Sequence, residues 1–216
     1  MHIINYKMNK IETELWNEFN NIIGVDEVGR GCIAGPMVVA SVILPKNYVN
    51  NNIDDSKKLT KNKREAIYQQ ILKDCLFYKI VFIDVEQVEK LNPKQSSIFG
   101  MQKAIIPFLD KIDLILTDFE KINLGNDNIK EINLVKGDSK SLTIAAASIL
   151  AKVTRDNFMS ELSKTYPEFK WDDNYGYGTK AHIEAIKKHG YTQFHRKTFE
   201  PIKSMIKENI ISKFKS

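Results

Sequence analysis

The chain has 216 residues, 43% of them hydrophobic, enough to bury a substantial core, which argues against disorder. Its 32 Lys and Arg face 27 Asp and Glu, a net charge of +5 that permits a polyanionic partner without demanding one. Cys32 and Cys75 form neither a disulfide framework nor a CxxC metal pattern, and no stretch approaches the ~20 apolar residues of a membrane span. The first residues are broken by Lys7, Lys10, Glu12 and Glu14 and contain no signal-peptide core, so reduced thiols and a cytoplasmic location are expected.

In chain order, residues 22–28 and 36–45 are Ile- and Val-rich runs joined by the Gly-rich stretch Gly29 to Gly35, and they predict two strands joined by a turn. Ala66, Ile67, Ile71 and Leu72 recur at helical spacing and predict a helix over 60–74. A third strand is expected over 76–84. Helices follow at about 85–91 and 94–109, broken at Asn92-Pro93. Leu114 to Thr117 is an apolar run ending at Asp118 and predicts a buried strand, and 130–136 predicts another. Residues 140–165 predict a long helix whose first half, from Ile144 to Ala151, is rich in small side chains that let a neighbour approach closely. Beyond 166 the pattern is irregular, with helices near 179–189 and 201–214. The expected class is α/β, with a mixed sheet flanked by helices and a helical C-terminal part: one domain over 1–216, with a core of about 22–165 and an extension of about 166–216.

The carboxylates carry the chemistry. Asp26 and Glu27 are adjacent at the end of an apolar run. Neighbouring side chains of a strand point to opposite faces, so both serve one site only where the strand bends or ends, as it can at Gly29. Asp118 closes a second buried run, and Asp156 lies on the long helix after Arg155. Acids drawn from several elements suit a hard cation that takes oxygen ligands. Asp54, Asp55, Asp138, Asp172 and Asp173 compete for such a role. Asp138 sits where a helix N-cap is expected. These patterns reach an acidic metal site and stop there.

The stretch GVDEVGRGCIAGPMVVASVILP (24–45) resembles the opening signature of the ribonuclease HII family. DSKKLT (55–60), KGDSKSLTIAAASILAKVTRD (136–156) and YGYGTKAHIEAIKKHGYTQFHRKTFEP (175–201) resemble its later motifs, in family order. The resemblance implies the ribonuclease H fold with a helical C-terminal extension. It implies catalytic metal ligands at Asp26, Glu27, Asp118 and Asp156, holding two Mg²⁺ or Mn²⁺ ions. One ion is expected on Asp26, Asp118 and Asp156, and the second nearer Glu27 and Asp118. It implies that Gly29, Arg30 and Gly31 read the ribonucleotide through close backbone approach to its 2′-OH. Tyr177 matches the family tyrosine that packs against the sugar next to the cut. The substrates implied are RNA–DNA hybrids and DNA containing ribonucleotides, which places the protein in ribonucleotide removal. A monomer without membrane partners is expected.

Two positions depart from the family pattern. The third acid is usually followed by Gly, whereas Phe119 and Glu120 follow Asp118; Asp118 aligns because it directly follows the apolar run, and Glu120 is the alternative. Cys32 replaces a small residue or proline, and no thiol chemistry is expected at a hard-metal site. The related ribonuclease HIII family differs at the motif arginine, so Arg30 and the short N-terminal region favour HII. Lys57, Lys58, Lys180 and Arg196 are expected to contact phosphates. His182, His189 and His195 show no metal spacing, and surface or packing roles are expected. The rivals are a DNA-cutting resolvase or integrase, a non-catalytic hybrid-binding protein and a structural basic domain. The Gly-Arg-Gly motif and the four acids speak against them.

Overall fold

Continuous apolar runs rich in Ile and Val commit the early segments to strands buried on both faces, and the computed structural model, which describes residues 10–126 and 128–214, shows how the sheet is ordered. A short helix α1 (Lys10–Leu15) precedes β1 (Ile22–Val28) and β2 (Met37–Ile43). Then come α2 (Lys61–Asp74), β3 (Phe77–Ile83), α3 (Val85–Ile105), β4 (Leu114–Asp118) and β5 (Lys130–Leu134). The long α4 (Leu142–Thr165) leads into α5 (Trp171–Asn174), α6 (Lys180–His189) and α7 (Ile202–Lys207). The strand order is β3-β2-β1-β4-β5, with β1 antiparallel to β2 and parallel to β4, and β4 parallel to β5. The sheet is therefore mixed, as expected.

The chain folds as two compact units. The first takes in the described residues up to Val28, with Val38–Val81 and Ser97–Val153. The second combines Gly29–Met37, Phe82–Ser96 and the chain from Thr154 onward. The division falls inside α4 rather than at its end, and the C-terminal unit includes the Gly-Arg-Gly loop.

In the first unit, α4 lies directly on β1. A Cβ on Gly24 would stand 2.5 Å from the Thr143 carbonyl carbon, so only glycine admits the helix backbone there. Ala145, Ala146 and Ala147 are fully buried in the same core as Val38, Ala40 and Ile71. Helix α1, absent from the sequence expectation, has a use at this point. Glu12 is completely buried and accepts hydrogen bonds from the Ser141 hydroxyl and the Thr143 amide, capping the start of α4. Burial pushes its carboxyl above the usual range against those hydrogen bonds.

The break expected at Asn92-Pro93 is present. Asn92 has φ 66°, and its side-chain oxygen accepts from the amides of Lys94 and Gln95, restarting the helix. The terminal helix expected over 201–214 stops at Lys207. Asn209 turns left-handed at φ 56°, and the Phe214 amide then donates to the Tyr191 carbonyl, so backbone pairing replaces the helix. The second unit has its own core, in which Phe169, Trp171, Ile186, Ile202 and Met159 are buried.

Candidate active site

The first unit brings three of its acids together through strand register. The parallel pairing of β1 and β4 runs to Val25 opposite Thr117, so the next residues, Asp26 and Asp118, are neighbours at the carboxyl ends of adjacent strands. Asp26 is 7% exposed. Burial, and then the Glu27 charge beside it, push its carboxyl well above the usual range; a Ser148 hydrogen bond opposes this and Asp118 adds to it. Ser148 also meets Ser56, 3.1 Å away, so a buried hydroxyl pair stands behind Asp26. Asp118 accepts the Gly137 amide at 2.8 Å. Its carboxyl too is raised, by burial and by the charge of Asp138, while the Gly137 amide and Lys57 oppose the rise.

Asp138 is the acid that the sequence reading set aside. It is not the N-cap of α4, which begins at Leu142 and is capped by Glu12 and Ser141. It lies in the 3₁₀ turn Gly137–Ser139, with its side chain 8% exposed, and accepts the Lys57 ammonium at 3.1 Å. Burial of its stem works against the Lys57 charge, but the Asp138 hydrogen bond and charge hold the ammonium above its usual value, with Asp55 and Asp26 adding. Lys57, expected as a phosphate contact, is thus tied to the acid cluster. Lys58 pairs with Asp54 at 3.3 Å, and both lysines are exposed. The sequence signal for Asp138 was its place inside the 136–156 motif. Only the fold shows that its charge reaches Asp118.

Phe119 explains the departure from the usual glycine. Its φ is 68°, in the left-handed region where glycine is unstrained, and its ring is largely exposed. Glu120 is buried, and its carbonyl accepts the Thr117 hydroxyl at 2.7 Å. The Gly137 turn donates its hydrogen bond to Asp118.

The second unit builds the Gly-Arg-Gly loop. Gly29 has φ 92°, and a Cβ there would stand 2.3 Å from Arg155 Nε. Gly31 is exposed, with nothing within 4 Å of its would-be Cβ. The two glycines therefore differ: Gly29 is required by the loop's own packing, and Gly31 leaves open space. Arg155, fully buried, donates to the carbonyls of Pro36, Tyr175 and Ala34 at 2.8, 2.8 and 3.0 Å. Arg196 corrects an expectation. It is wholly buried and donates to the Gly35 and Arg30 carbonyls, so it braces the loop and is not available to a phosphate. Burial lowers its pKa to about 10. Lys180 is exposed at the first position of α6.

Tyr177 is 42% exposed. Burial and the adjacent Cys32 thiol, which is hydrogen-bonded to the phenol, raise its pKa; Arg155 opposes this and Asp156 adds to it. Asp156 itself is 5% exposed and belongs to this unit. Of the five acids, Asp26, Glu27, Asp118 and Asp138 thus belong to the first unit, and Asp156 acts on Tyr177.

Acids at the ends of adjacent parallel strands, on a mixed sheet covered by a small-residue helix, define a nuclease of the ribonuclease H class. The chain matches the Ribonuclease HII family model over residues 23–202. It is 47% identical to the Ribonuclease HII of Mycoplasma mycoides subsp. mycoides over 86% of this chain and 89% of that one. The crystal structure of the ribonuclease H2 from Pyrococcus horikoshii shares the fold, with a TM-score of 0.72 at 24% identity, over 88% of this chain and 98% of that one. Bst-RNase HIII in complex with Mn²⁺ also shares it, with a TM-score of 0.66 at 20% identity, over 87% and 70%. The chain belongs to the ribonuclease HII family and is a ribonuclease H, a hydrolase of phosphodiester bonds.

Proposed function

We propose that this protein cuts the RNA strand of RNA–DNA hybrids and also incises duplex DNA on the 5′ side of embedded ribonucleotides, leaving 3′-hydroxyl and 5′-phosphate ends. Asp26 beside Asp118 at the ends of parallel strands, with Asp138 acting on Asp118, supports this reading most directly. Three acids whose charges oppose one another in a buried place suit a divalent cation, which removes the repulsion. Among the described residues no three acids, histidines or cysteines enclose an ion by themselves, so phosphate and water oxygens would complete its coordination. Mg²⁺ or Mn²⁺ bound here would supply an activated water and neutralise charge on the departing 3′ oxygen.

The chain's own residues do the rest. Asp26, Glu27 and Asp118 would hold the cations. Asp138 is the fourth acid that this geometry favours, and Asp156 is the alternative that the family resemblance implies. Ser148 orients Asp26, and Lys57 balances Asp138. The backbone of Gly29, Arg30 and Gly31 reads the 2′-OH, with Arg155 and Arg196 holding the loop rigid. Tyr177 packs against the adjacent sugar. Lys58 and Lys180 contact phosphates. The protein acts as a monomer in the cytoplasm.

The test is the cleavage rate on three matched duplexes, all DNA, one ribonucleotide and a run of ribonucleotides, with Mg²⁺ and Mn²⁺ compared. Cutting only the two that contain ribose is expected. A site built to bond a hydroxyl rejects the analogue lacking it by up to roughly 10⁴-fold. Comparable cutting of the all-DNA duplex would refute the reading in favour of the resolvase.

A further inference from the structure

Tyr177 is held from beneath by buried side chains that the proposed reaction does not use. The Trp171 indole N–H can only donate, and it lies 3.0 Å from His182 Nε2. His182 Nε2 is therefore bare, and in the neutral ring the proton sits on Nδ1. Nδ1 is 2.8 Å from the Tyr177 carbonyl and donates to it. The same logic fixes His195. Its Nδ1 accepts the Thr192 amide at 2.9 Å, so its proton sits on Nε2, which faces His182 Nε2 at 3.2 Å. A second proton on His182 would point at two N–H donors. Both rings are almost completely buried, and burial lowers both pKa values, that of His195 to about 3, in keeping with neutral tautomers.

The Tyr177 main chain is pinned on all sides. Its carbonyl also accepts the Thr179 amide at 2.8 Å, and its own amide donates to Asn174 at 2.9 Å. Gly176, one residue before, has its carbonyl bonded by the amides of Ile33 and Ala34, next to the Gly-Arg-Gly loop. What remains exposed is the ring.

We infer that His182 is a positioning residue: its Nδ1–H, oriented by Trp171 and His195, fixes the Tyr177 main chain so that the exposed ring keeps one attitude toward the ribose. The inference rests on the reading of Tyr177 as the residue that packs against the sugar. A misplacement of about 1 Å is enough to cost up to roughly 10²-fold in rate.

The experiment measures the ratio of single-ribonucleotide cleavage to long-hybrid cleavage for wild type, Tyr177→Ala, His182→Gln, His182→Asn and the Tyr177→Ala/His182→Gln double variant. An Asn amide stands near the position of Nδ1 and keeps the donor; a Gln amide stands near Nε2 and loses it. His182→Gln should lower the ratio about tenfold. His182→Asn should restore it, and the double variant should fall no further than Tyr177→Ala. Equal losses on both substrates in His182→Gln, or additive losses in the double variant, would make His182 a fold residue only. If Tyr177→Ala leaves the ratio unchanged, the sugar-packing reading fails and the inference falls with it. If Tyr177→Ala lowers it and His182→Gln does not, the inference alone fails. Long-range ¹H–¹⁵N spectra of the wild-type protein test the same point without a variant that must fold. They should show His182 protonated on Nδ1 only, and the opposite tautomer overturns the inference.

Discussion

A carboxylate serves a hard cation only while ionised, and Asp26 and Asp118 are both held above the usual range. Cleavage at limiting Mg²⁺ should fall as pH drops through that raised range, because the proton and the cation compete for the same oxygens. More Mg²⁺ should move the fall to lower pH; a profile indifferent to Mg²⁺ would detach these acids from the metal. The stability sign is the reverse. A raised folded pKa contributes stability at low pH that is lost as pH rises through it, so added Mg²⁺ should stabilise the protein most above that range. Replacing Asp26, Asp118 or Asp138 with Asn should each lower turnover at least about 10²-fold with circular dichroism unchanged. If Asp156→Asn is inactive and Asp138→Asn is not, the helix acid is the fourth ligand. If Glu120→Gln is inactive and Asp118→Asn is not, the third acid has been misassigned.

At the scale of elements, the ends of strands and helices are where sequence pattern and fold disagree in an informative way. Phe119, just past β4, occupies a left-handed conformation that costs a non-glycine residue about 1 kcal/mol or more. Phe119→Gly should raise the unfolding temperature, and a lower one would show that the Phe ring contributes more than its backbone costs. Glu12→Ala removes the cap of α4 and should cost roughly 1–2 kcal/mol in denaturant unfolding. The two motif glycines separate by the same measurement. Gly29→Ala should destabilise the fold, because its Cβ strikes Arg155 and its φ is 92°. Gly31→Ala should leave thermal stability unchanged and slow cleavage of ribose-containing duplexes. Equal effects of both on stability would remove Gly31 from the substrate face.

For the molecule as a whole, charge and buried imidazoles set the response to salt and acid. Replacing Lys58 or Lys180 with Ala should weaken binding to every duplex and flatten its salt dependence, since each phosphate contact releases counterions. Arg196→Ala should lower stability, because its guanidinium serves loop carbonyls. A flattened salt slope with full stability would return Arg196 to the phosphate contacts. His195 is depressed from 6.5 to about 3. Its contribution is present above the unfolded value and lost as pH falls from 6.5 toward 3, at up to ~1.4 kcal/mol per pH unit. Unfolding free energy measured at pH 7 and pH 5 should show this loss, and His195→Gln should reduce it.

Apolar runs and helical spacing by themselves determined where β1, β4 and the long α4 run, because both are local properties that burial merely fills. The same holds for the break at Asn92, where the following proline disfavours helical backbone. Motif order determined the family, and the resemblance implied Asp26, Glu27, Asp118 and Asp156 as its acids. What only the tertiary structure decided are the relations between distant segments. Arg196 reads as a surface cation in sequence and is buried against Gly35, some 161 positions away. Asp138 reads as a helix cap until the turn after β5 is seen to carry it to Asp118, and Glu12 reads as a feature of the terminus until it caps α4. A charge's role depends on which partners share its low-dielectric surroundings, and strand register, not spacing along the chain, chooses those partners.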